Sequence, residues 1–210
     1  APYMQADLSL KVSELISKPY VTMTEKMMAS FGVKVSDNVI AAGQCYQGCD
    51  YVVEPDLSSA SYFFAAAAVT GGQVKVKNID RDNCLQGDIG FLTVLEEMGC
   101  HVEQLAGAVK VTGPMQLQGV TVDMGDISDT MMTLAAIAPF ASGVTHITNI
   151  ANTRVKECDR IHAMSSNLKR LGVKVEQGDD FMKIYPGPVS AGVVDSFHDH
   201  RIAMAFSLVA

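Results

Sequence analysis

The chain has 210 residues, 48% of them hydrophobic, and its formal net charge at pH 7 is −7. That length can bury a substantial core in one large or two smaller domains, and the acidic balance argues against a general nucleic-acid binder, which uses excess Lys and Arg to neutralise phosphates. The longest apolar stretch, YFFAAAAV, is too short to cross a membrane, and the first residues lack a basic start followed by an apolar block, so we predict neither a membrane helix nor a signal peptide.

The predicted elements recur with a period of about seventy residues. The segments that start at Asp56 and Asp126 both run from Asp-x-Ser through an Ala-rich helix, a glycine turn and an alternating strand to Asn-Ile. A third segment opens at Asp195, and the sequence ends inside its helix. Self-similarity at a fixed period is typical of stacked supersecondary units.

Amphipathic helices supply the other half of each unit. Three stretches, 27–35, 92–104 and 166–177, match one another, and each combines such a helix with a following strand. A glycine follows every one of these helices, and Gly tolerates the left-handed conformation that closes a helix C-terminus. The complete unit is therefore predicted to be small-residue helix, strand, turn, amphipathic helix, strand, strand.

The phase of the repeat predicts how the chain is divided. Residues 1–53 match the second half of a unit, 54–124 and about 125–193 are complete units, and 194–210 opens another. We therefore expect an α/β architecture of repeated units, incomplete at both ends, as in a piece of a longer protein.

Polar groups precede each small-residue helix. For Asp56, Ser58 and Ser59, N-capping is a sufficient explanation, because Asp and Ser accept hydrogen bonds from the free N–H groups of a first turn. Asp129 and Arg201 exceed what a cap needs. A cation near a helix start opposes the helix dipole unless an anion is bound, so this position predicts an anion site.

The segment NTRVKECDRIHAM, residues 152–164, concentrates charge in a chain that is only 19% charged. If it is helical, Lys156 and Arg160 lie one turn apart and repel each other unless an anion compensates them. Asn152, Lys156, Arg160 and Arg201 offer donors for phosphate or carboxylate, and Glu157 and Asp129 are groups that move protons. The alternative is a solvated, salt-bridged helix face.

Other candidate chemistry is weaker. His198 and His200 have the spacing of paired metal ligands, but no third His or Cys lies in a matching context, so we predict no metal site. The five cysteines include no CxxC pair, which favours free thiols in a reducing cytoplasm, and Cys158 has no evident His partner that would make it a nucleophile.

Several motifs resemble those of the 5-enolpyruvylshikimate-3-phosphate synthases (3-phosphoshikimate 1-carboxyvinyltransferases). The marks are SKPY (17–20), SSASYF (58–63), LQGD (85–88), DISDTMMTLA (126–135), NTRVKECDR (152–160) and DHRIAMAFSL (199–208). One departure is Glu54-Pro55-Asp56-Leu57, where the family usually has Glu-Gly-Asp-Ala.

The resemblance implies the enolpyruvyl transferase fold, an inside-out α/β barrel of two lobes, each made of three β-α-β-α-β-β units. Residues 1–53 then end the first lobe, and 54–210 form most of the second. It also implies transfer of the enolpyruvyl group from phosphoenolpyruvate to shikimate 3-phosphate in aromatic amino acid biosynthesis, without metal or organic cofactor. We expect a cytoplasmic protein without nucleic-acid or membrane partners, monomeric at full length and self-associating as this chain.

Residue roles follow from the same resemblance. The expected shikimate 3-phosphate contacts are Ser17, Tyr20, Asp129, Asn152 and Lys156. The expected phosphoenolpyruvate contacts are Arg160, His200 and Arg201. Asp129 resembles the group that receives the proton of the attacking hydroxyl, and Glu157 one that handles protons at the methylene carbon.

Two other functions stay open from the sequence. The sister enzymes, the UDP-N-acetylglucosamine enolpyruvyl transferases, share the fold and the donor, although the DHR and RVKECDR segments favour the shikimate enzymes. A noncatalytic fragment that binds anions is the other alternative, because the family's contacts from the rest of the first lobe have no counterpart in this sequence. We expect the chain alone to be inactive.

Overall fold

A computed structural model describes residues 2–13 and 15–209. The helices are α1 Lys18–Ser30, α2 Leu57–Thr70, α3 Phe91–Glu97, α4 Met131–Ile137, α5 Arg160–Arg170 and α6 His200–Phe206. The strands are β1 Leu8–Ser9, β2 Val39–Ile40, β3 Gln73–Lys77, β4 His101–Leu105, β5 Ala108–Thr112, β6 Thr121–Asp123, β7 Thr145–Thr148, β8 Val175–Gln177 and β9 Met182–Ile184. Short 3₁₀ turns span Gly87–Gly90, Gly125–Thr130, Ala138–Phe140, Ala151–Val155 and Ser207–Val209.

The predicted repeat is confirmed by the sheets. In the first unit, β5 lies between β3 and β4 and is antiparallel to both. In the second unit, β9 lies between β7 and β8 in the same way, and β6 adds to the outer edge, parallel to β7. In both units the elements follow the same order along the chain, which is small-residue helix, strand, amphipathic helix and hairpin. The two units therefore share one topology.

The backbone repeats in detail as well. Asn78 and Asn149, each the Asn of the repeated Asn-Ile, follow β3 and β7 with φ of 62° and 57°. Asn is one of the few residues that adopt the left-handed region readily, so it ends both strands in the same turn. The glycines predicted to close the amphipathic helices, Gly32, Gly99 and Gly172, have φ of 84°, 96° and 88°, which confirms that prediction.

The core is centred on the small-residue helices. Helix α4 lies between α2 and α6 and contacts both. The three helices bury several alanines, whose small side chains allow close packing; they include Ala65, Ala67, Ala68, Ala135, Ala136 and Ala205. The hydroxyls of Ser61 in α2 and Thr133 in α4 are 2.8 Å apart within this packing. Side chains of the two sheets close the core around the helices.

Residues 2–53 contribute little to that core. Val33 and Ile40 are buried, whereas α1 buries none of the side chains described for it. The segment contacts the rest of the chain at the start of α1, where Pro19 lies so close to Gly87 that a Cβ on Gly87 would stand 2.6 Å from the Pro19 Cβ. The division into lobes at residue 53 stays a prediction.

The strand predicted after Gly32 is wrong. Residues 33–35 have no strand in the structure. The side chain of Gln44 provides the reason, because its amide oxygen accepts from the Lys34 backbone N–H at 2.8 Å and its amide nitrogen donates to the Lys34 carbonyl at 3.0 Å. A side chain thus takes the hydrogen bonds that a neighbouring strand would provide.

Two predicted helix starts also differ. The second small-residue helix begins at Met131, because Ile127, with φ −129° and ψ 32°, leaves Gly125–Thr130 as a 3₁₀ turn. The third begins at His200, where Asp199 and not Asp195 is the N-cap, and its carboxylate accepts from the Arg201 N–H. At α2, Asp56 caps as predicted by accepting from the Ser59 N–H. Among the described residues, no helix is long and apolar enough to cross a membrane.

The charged segment is not one continuous helix. Ala151–Val155 is a 3₁₀ turn, Lys156 is extended beyond it with ψ −146°, and α5 starts only at Arg160. Asp159 causes this break, since it caps α5 by accepting from the His162 N–H at 3.0 Å. The predicted one-turn spacing of Lys156 and Arg160 is therefore wrong, although the two side chains meet by another route.

Candidate active site

The Asp129 carboxylate is the meeting point of the predicted site residues. Its Oδ1 accepts from Arg160 Nη1 at 3.0 Å and lies 3.6 Å from Lys156 Nζ. Its Oδ2 accepts from Arg201 Nη2 and from the Tyr20 hydroxyl, both at 3.1 Å. One carboxylate therefore gathers donors from α1, α5, α6 and the turn before α5.

These neighbours set the charge of Asp129. Burial alone raises the pKa of its carboxyl, but the charges of Arg201, Lys156 and Arg160 outweigh burial and hold the pKa below its ordinary value. At Tyr20, burial and the nearby Asp88 and Asp129 all raise the pKa of the phenol well above its ordinary value. Near pH 7 the carboxylate is thus ionised and the phenol is a hydrogen-bond donor.

Arg160 is a buried cation that links three carboxylates. Its side chain is 1% exposed, and its three guanidinium nitrogens each reach a different carboxylate. Besides Asp129, Nε donates to Asp199 at 2.8 Å and Nη2 donates to Glu157 at 2.5 Å. The planar fork of Arg fits such a set of carboxylates, which a Lys ammonium does not match.

Asp199 links Arg160 to the start of α6. Its carboxylate accepts from Arg160 Nε and from the Arg201 backbone N–H, at 2.8 and 2.9 Å, and lies 3.5 Å from the Cys158 thiol. These bonds outweigh burial and lower the pKa of Asp199. Burial and Asp199 raise the pKa of Cys158 to about 11, so the thiol stays protonated, as predicted for an inert cysteine.

Asn152 forms a second polar group beside this cluster. Its amide nitrogen donates to the Ser17 hydroxyl at 3.2 Å and to the Ser128 hydroxyl at 2.9 Å. Its Oδ1 is buried and has no hydrogen-bond partner among the described residues. A cavity of about 250 Å³ adjoins it, with Ser17, Asp126 and Asn149 among its lining residues. Ser17 is in the left-handed conformation, with φ 57° and ψ 49°, which is uncommon for a residue other than Gly.

Arg154 fixes the segment that carries Lys156. Its Nε and Nη2 donate to the carbonyls of Asp179 and Gly178 at 2.8 and 2.6 Å, and Nη1 donates to Asp159 at 2.6 Å. The segment is thereby tied to the β8–β9 hairpin and to the cap of α5. The ammonium of Lys156 lies 5.9 Å from the centre of the Tyr20 ring and 3.6 Å from the Asp129 carboxylate.

The remaining predicted residues lie at the rim. Within the described part of the chain, Glu157 contacts the cluster through Arg160 alone, and its side chain is 47% exposed. The His200 side chain is 66% exposed, with Nδ1 3.6 Å from Asp199 Oδ1. The structure thus brings together Ser17, Asn152, Tyr20, Asp129, Lys156, Arg160 and Arg201, while Glu157 and His200 face solvent.

Asp88 and Ser58 belong to the same region but were missed as site residues. The Ser58 hydroxyl, which capping alone was expected to explain, donates to Asp88 Oδ2. The available sequence signal was the position of Asp88 within the LQGD motif, and only the structure shows that this acid is buried. Among the described residues, no group of three or more His, Cys, Asp and Glu is placed to hold a metal ion, and all five cysteines are free.

The fold and the site together define the class of protein. Repeated α/β units, whose small-residue helices begin around one carboxylate and three cations, make up an enolpyruvyl transferase fold with a site suited to anions. The chain belongs to the EPSP synthase (3-phosphoshikimate 1-carboxyvinyltransferase) family, whose model matches residues 1–210.

Individual relatives agree with this assignment. The chain is 53% identical to a 3-phosphoshikimate 1-carboxyvinyltransferase of Nostoc punctiforme, over 99% of the chain and 50% of the relative. It is 44% identical to one from Photobacterium damsela subsp. piscicida, over 100% of the chain and 51% of the relative. It is also similar to a solved EPSP synthase structure from Acinetobacter baumannii, with a TM-score of 0.77 and 30% identity over 97% of the chain and 50% of that structure. The chain spans about half the length of these proteins. The comparisons favour this family over the sister enolpyruvyl transferases.

Proposed function

We propose that the chain forms part of the active site of a 3-phosphoshikimate 1-carboxyvinyltransferase. The reaction transfers the enolpyruvyl group of phosphoenolpyruvate to a hydroxyl of shikimate 3-phosphate and releases phosphate. The observation that carries the proposal is the Asp129 carboxylate held by Arg160, Arg201 and Tyr20, with Lys156 at 3.6 Å.

Asp129 acts as the proton acceptor in this proposal. In the addition step, the hydroxyl oxygen forms a bond to the enolpyruvyl carbon that carries the phosphate, its proton passes to Asp129, and the methylene carbon takes up a proton. In the elimination step, the methylene carbon loses a proton as the bond from the neighbouring carbon to the phosphate oxygen breaks and phosphate leaves. In the structure, neighbouring cations lower the pKa of Asp129 and make it a weak base. Anionic substrates compete for Arg201 and Lys156, so their arrival raises the basicity of Asp129 where a base is needed.

The cations bind the substrates and stabilise the departing phosphate. Lys156 and Asn152, with Ser17 and Tyr20, face shikimate 3-phosphate, while Arg160, Arg201 and His200 face phosphoenolpyruvate. Preorganised cations stabilise charge that develops on the leaving oxygen. Glu157, at the exposed end of the Arg160 contacts, adds and removes the proton at the methylene carbon.

The proposal extends to the organisation of the protein. Residues 1–53 end the first lobe and 54–210 form most of the second, so the isolated chain holds only part of the site. It is inactive alone and associates with itself, whereas the full-length protein is a monomer in the cytoplasm without nucleic-acid or membrane partners. Both reactants must be held together for the proximity gain on which such transfers depend.

The test compares the chain with a version extended at both ends to the length of its relatives. We expect the extended protein to release phosphate from phosphoenolpyruvate only when shikimate 3-phosphate is present, and the chain alone to release none. An extended protein that binds both substrates without releasing phosphate would favour a noncatalytic anion binder.

Binding of shikimate 3-phosphate tests the site itself. Lys156→Ala in the extended protein should weaken this binding by roughly 10- to 150-fold, because the loss of one charge-assisted contact costs about 1.5–3 kcal/mol. Lys169→Ala is the matched control, since this exposed lysine lies in the last turn of α5, away from the cluster. Equal affinities for the two variants would contradict the assignment of Lys156.

A further inference from the structure

Asp88 is a buried acid that the proposed reaction does not use. It lies in the Gly87–Gly90 turn and is 5% exposed. Its Oδ2 accepts the Ser58 hydroxyl, while its Oδ1 is buried and has no hydrogen-bond partner among the described residues. An ionised carboxylate with one oxygen unpaired in the interior is costly, whereas a protonated one is not.

The charges around Asp88 come from three elements. Asp129 in the Gly125–Thr130 turn and Asp56 at the cap of α2 act against its ionisation, while Arg201 in α6 and the Ser58 bond favour it. Burial is the largest influence, and it raises the pKa of Asp88 to about 6. Asp88 in turn raises the pKa of Tyr20 in α1 and of Arg201. It therefore shares an electrostatic environment with the site without a direct bond to Asp129.

The site is already neutralised by its own side chains. Arg160 is shared by Asp129, Asp199 and Glu157, and Arg201 is bound to Asp129. With Lys156, three cations face these three carboxylates and Asp88. Two anionic substrates add negative charge to a cluster that holds no excess positive charge, so some compensation must accompany them.

We propose that binding of the anionic substrates is coupled to uptake of one proton from solvent by the Oδ1 of Asp88. This inference rests on the proposed function of the Asp129 site. A bound anion draws the charge of Arg201 toward itself and adds a negative charge nearby, and both changes favour the neutral form of Asp88. Asp88 is a positioning residue, because neutral Asp88 stops competing for Arg201 and leaves its guanidinium to the substrate.

Carbon-13 NMR of the chain labelled at aspartate carboxyls measures this coupling directly. In the free chain we expect the Asp88 signal, assigned by its loss in Asp88→Asn, to titrate near pH 6, above the ordinary value of 3.8. Saturation with shikimate 3-phosphate should raise that midpoint by at least about one pH unit. Ser58→Ala should also raise it, since the Ser58 hydroxyl donates to the ionised form.

Calorimetry of the extended protein gives a second readout. Binding of shikimate 3-phosphate at pH 7, measured in two buffers of different ionisation enthalpy, gives the number of protons taken up. The substrate's phosphate titrates in the same range, so the informative quantity is the difference between variants. Asp88→Asn should take up roughly half to one proton fewer than the wild type. Asp80→Asn, an exposed acid whose side-chain contacts lie within its own turn, should match the wild type.

The outcomes separate the two proposals. If shikimate 3-phosphate shifts the Asp129 carboxyl signal while the Asp88 midpoint stays in place, the coupling is wrong and the proposed function stands. If the substrate shifts none of these signals in the extended protein, both fail. A free-chain midpoint for Asp88 near that of an ordinary aspartate overturns the inference whatever the substrate does.

Discussion

Replacement of Arg160 by alanine tests whether the carboxylate cluster depends on one buried cation. The change removes the partner of Asp129, Asp199 and Glu157 at once. Asp129 keeps Arg201, Lys156 and Tyr20. Among the described residues, the side chain of Asp199, which is 0% exposed, keeps the Arg201 N–H and the weak Cys158 thiol donor as hydrogen-bond partners, with the exposed His200 ring 3.6 Å away.

The expected loss of stability follows from the partners that each carboxylate keeps. Removal of one partner from a buried ion pair leaves an uncompensated charge and destabilises a protein by about 3–5 kcal/mol. Glu157 adds little, because exposed pairs contribute roughly 0–1 kcal/mol. We therefore expect Arg160→Ala to lower the free energy of unfolding at pH 7 by about 3–5 kcal/mol, with Asp199 accounting for most of it.

The destabilisation by Arg160→Ala should also depend on pH in a definite direction. The folded-state pKa values of Asp129 and Asp199 are below their ordinary values, so the stabilisation they bring is present near neutral pH and is lost as pH falls through the folded-state pKa. In Arg160→Ala the stranded carboxylates take up protons at higher pH. The penalty should thus be largest at pH 7 and shrink below about pH 5.

Urea unfolding followed by circular dichroism, at pH 7 and pH 4.5, measures both quantities. Arg170→Ala is the matched control, because this exposed arginine ends the same helix and its side chain donates, among the described residues, to the Val193 carbonyl alone, at 3.2 Å. We expect it to change stability by less than about 0.5 kcal/mol. A loss for Arg160→Ala as small as that of the control, or one independent of pH, would refute the role given to Arg160.

Three other expectations concern docking, titration and association. Gly87→Ala places a Cβ 2.6 Å from the Pro19 Cβ and 2.9 Å from the Asp126 carbonyl oxygen. Thermal unfolding should therefore show that the free energy of unfolding falls by about 1–3 kcal/mol. The control Gly187→Ala should not show this loss, because a Cβ at Gly187 meets nothing within 4 Å. The pKa of Asp88 is raised from 3.8 to about 6, so the folded state holds its proton more tightly, and the free energy of unfolding should fall by up to about 3 kcal/mol relative to Asp88→Asn as pH rises from 4 to 7. Val52 and Val53, 89% and 77% exposed, belong to an apolar surface of residues 2–53, and we expect sedimentation at micromolar concentration to detect self-association; a compact monomer alone would contradict it.

The sequence predicts well where local chemistry repeats. Fixed spacing and the closing glycines indicate the order of helices and strands, and the structure confirms this order in both complete units. Asp129 and Arg201 are recognisable because an acid and a cation exceed what helix starts require. Ser17 and Tyr20 come only from resemblance, since nothing local reveals that α1 reaches a carboxylate 109 residues away.

Two of the wrong predictions, the strand after Gly32 and the continuous charged helix, share one physical cause, which is competition from a single side chain. Asp159 caps α5 and so separates Lys156 from Arg160, and Gln44 replaces a strand partner for Lys34. Asp88 escaped notice because its importance depends on burial beside Ser58, a contact between distant parts of the chain. Periodicity reports the average environment of an element, whereas these contacts depend on one atom pair.

The close packing of α2, α4 and α6 makes the positions of polar residues at the helix starts depend on the apolar core. The first turns around these helices carry Ser58, Asp129 and Arg201, and the alanines that let the helices approach lie deeper in the core. Ala65 in α2 and Ala135 in α4 are both 0% exposed, so a larger side chain at either overpacks the core and shifts its helix together with the first turn. Hydrogen bonds weaken steeply with such shifts. The geometry of the Asp129 cluster therefore depends on residues that lie outside it.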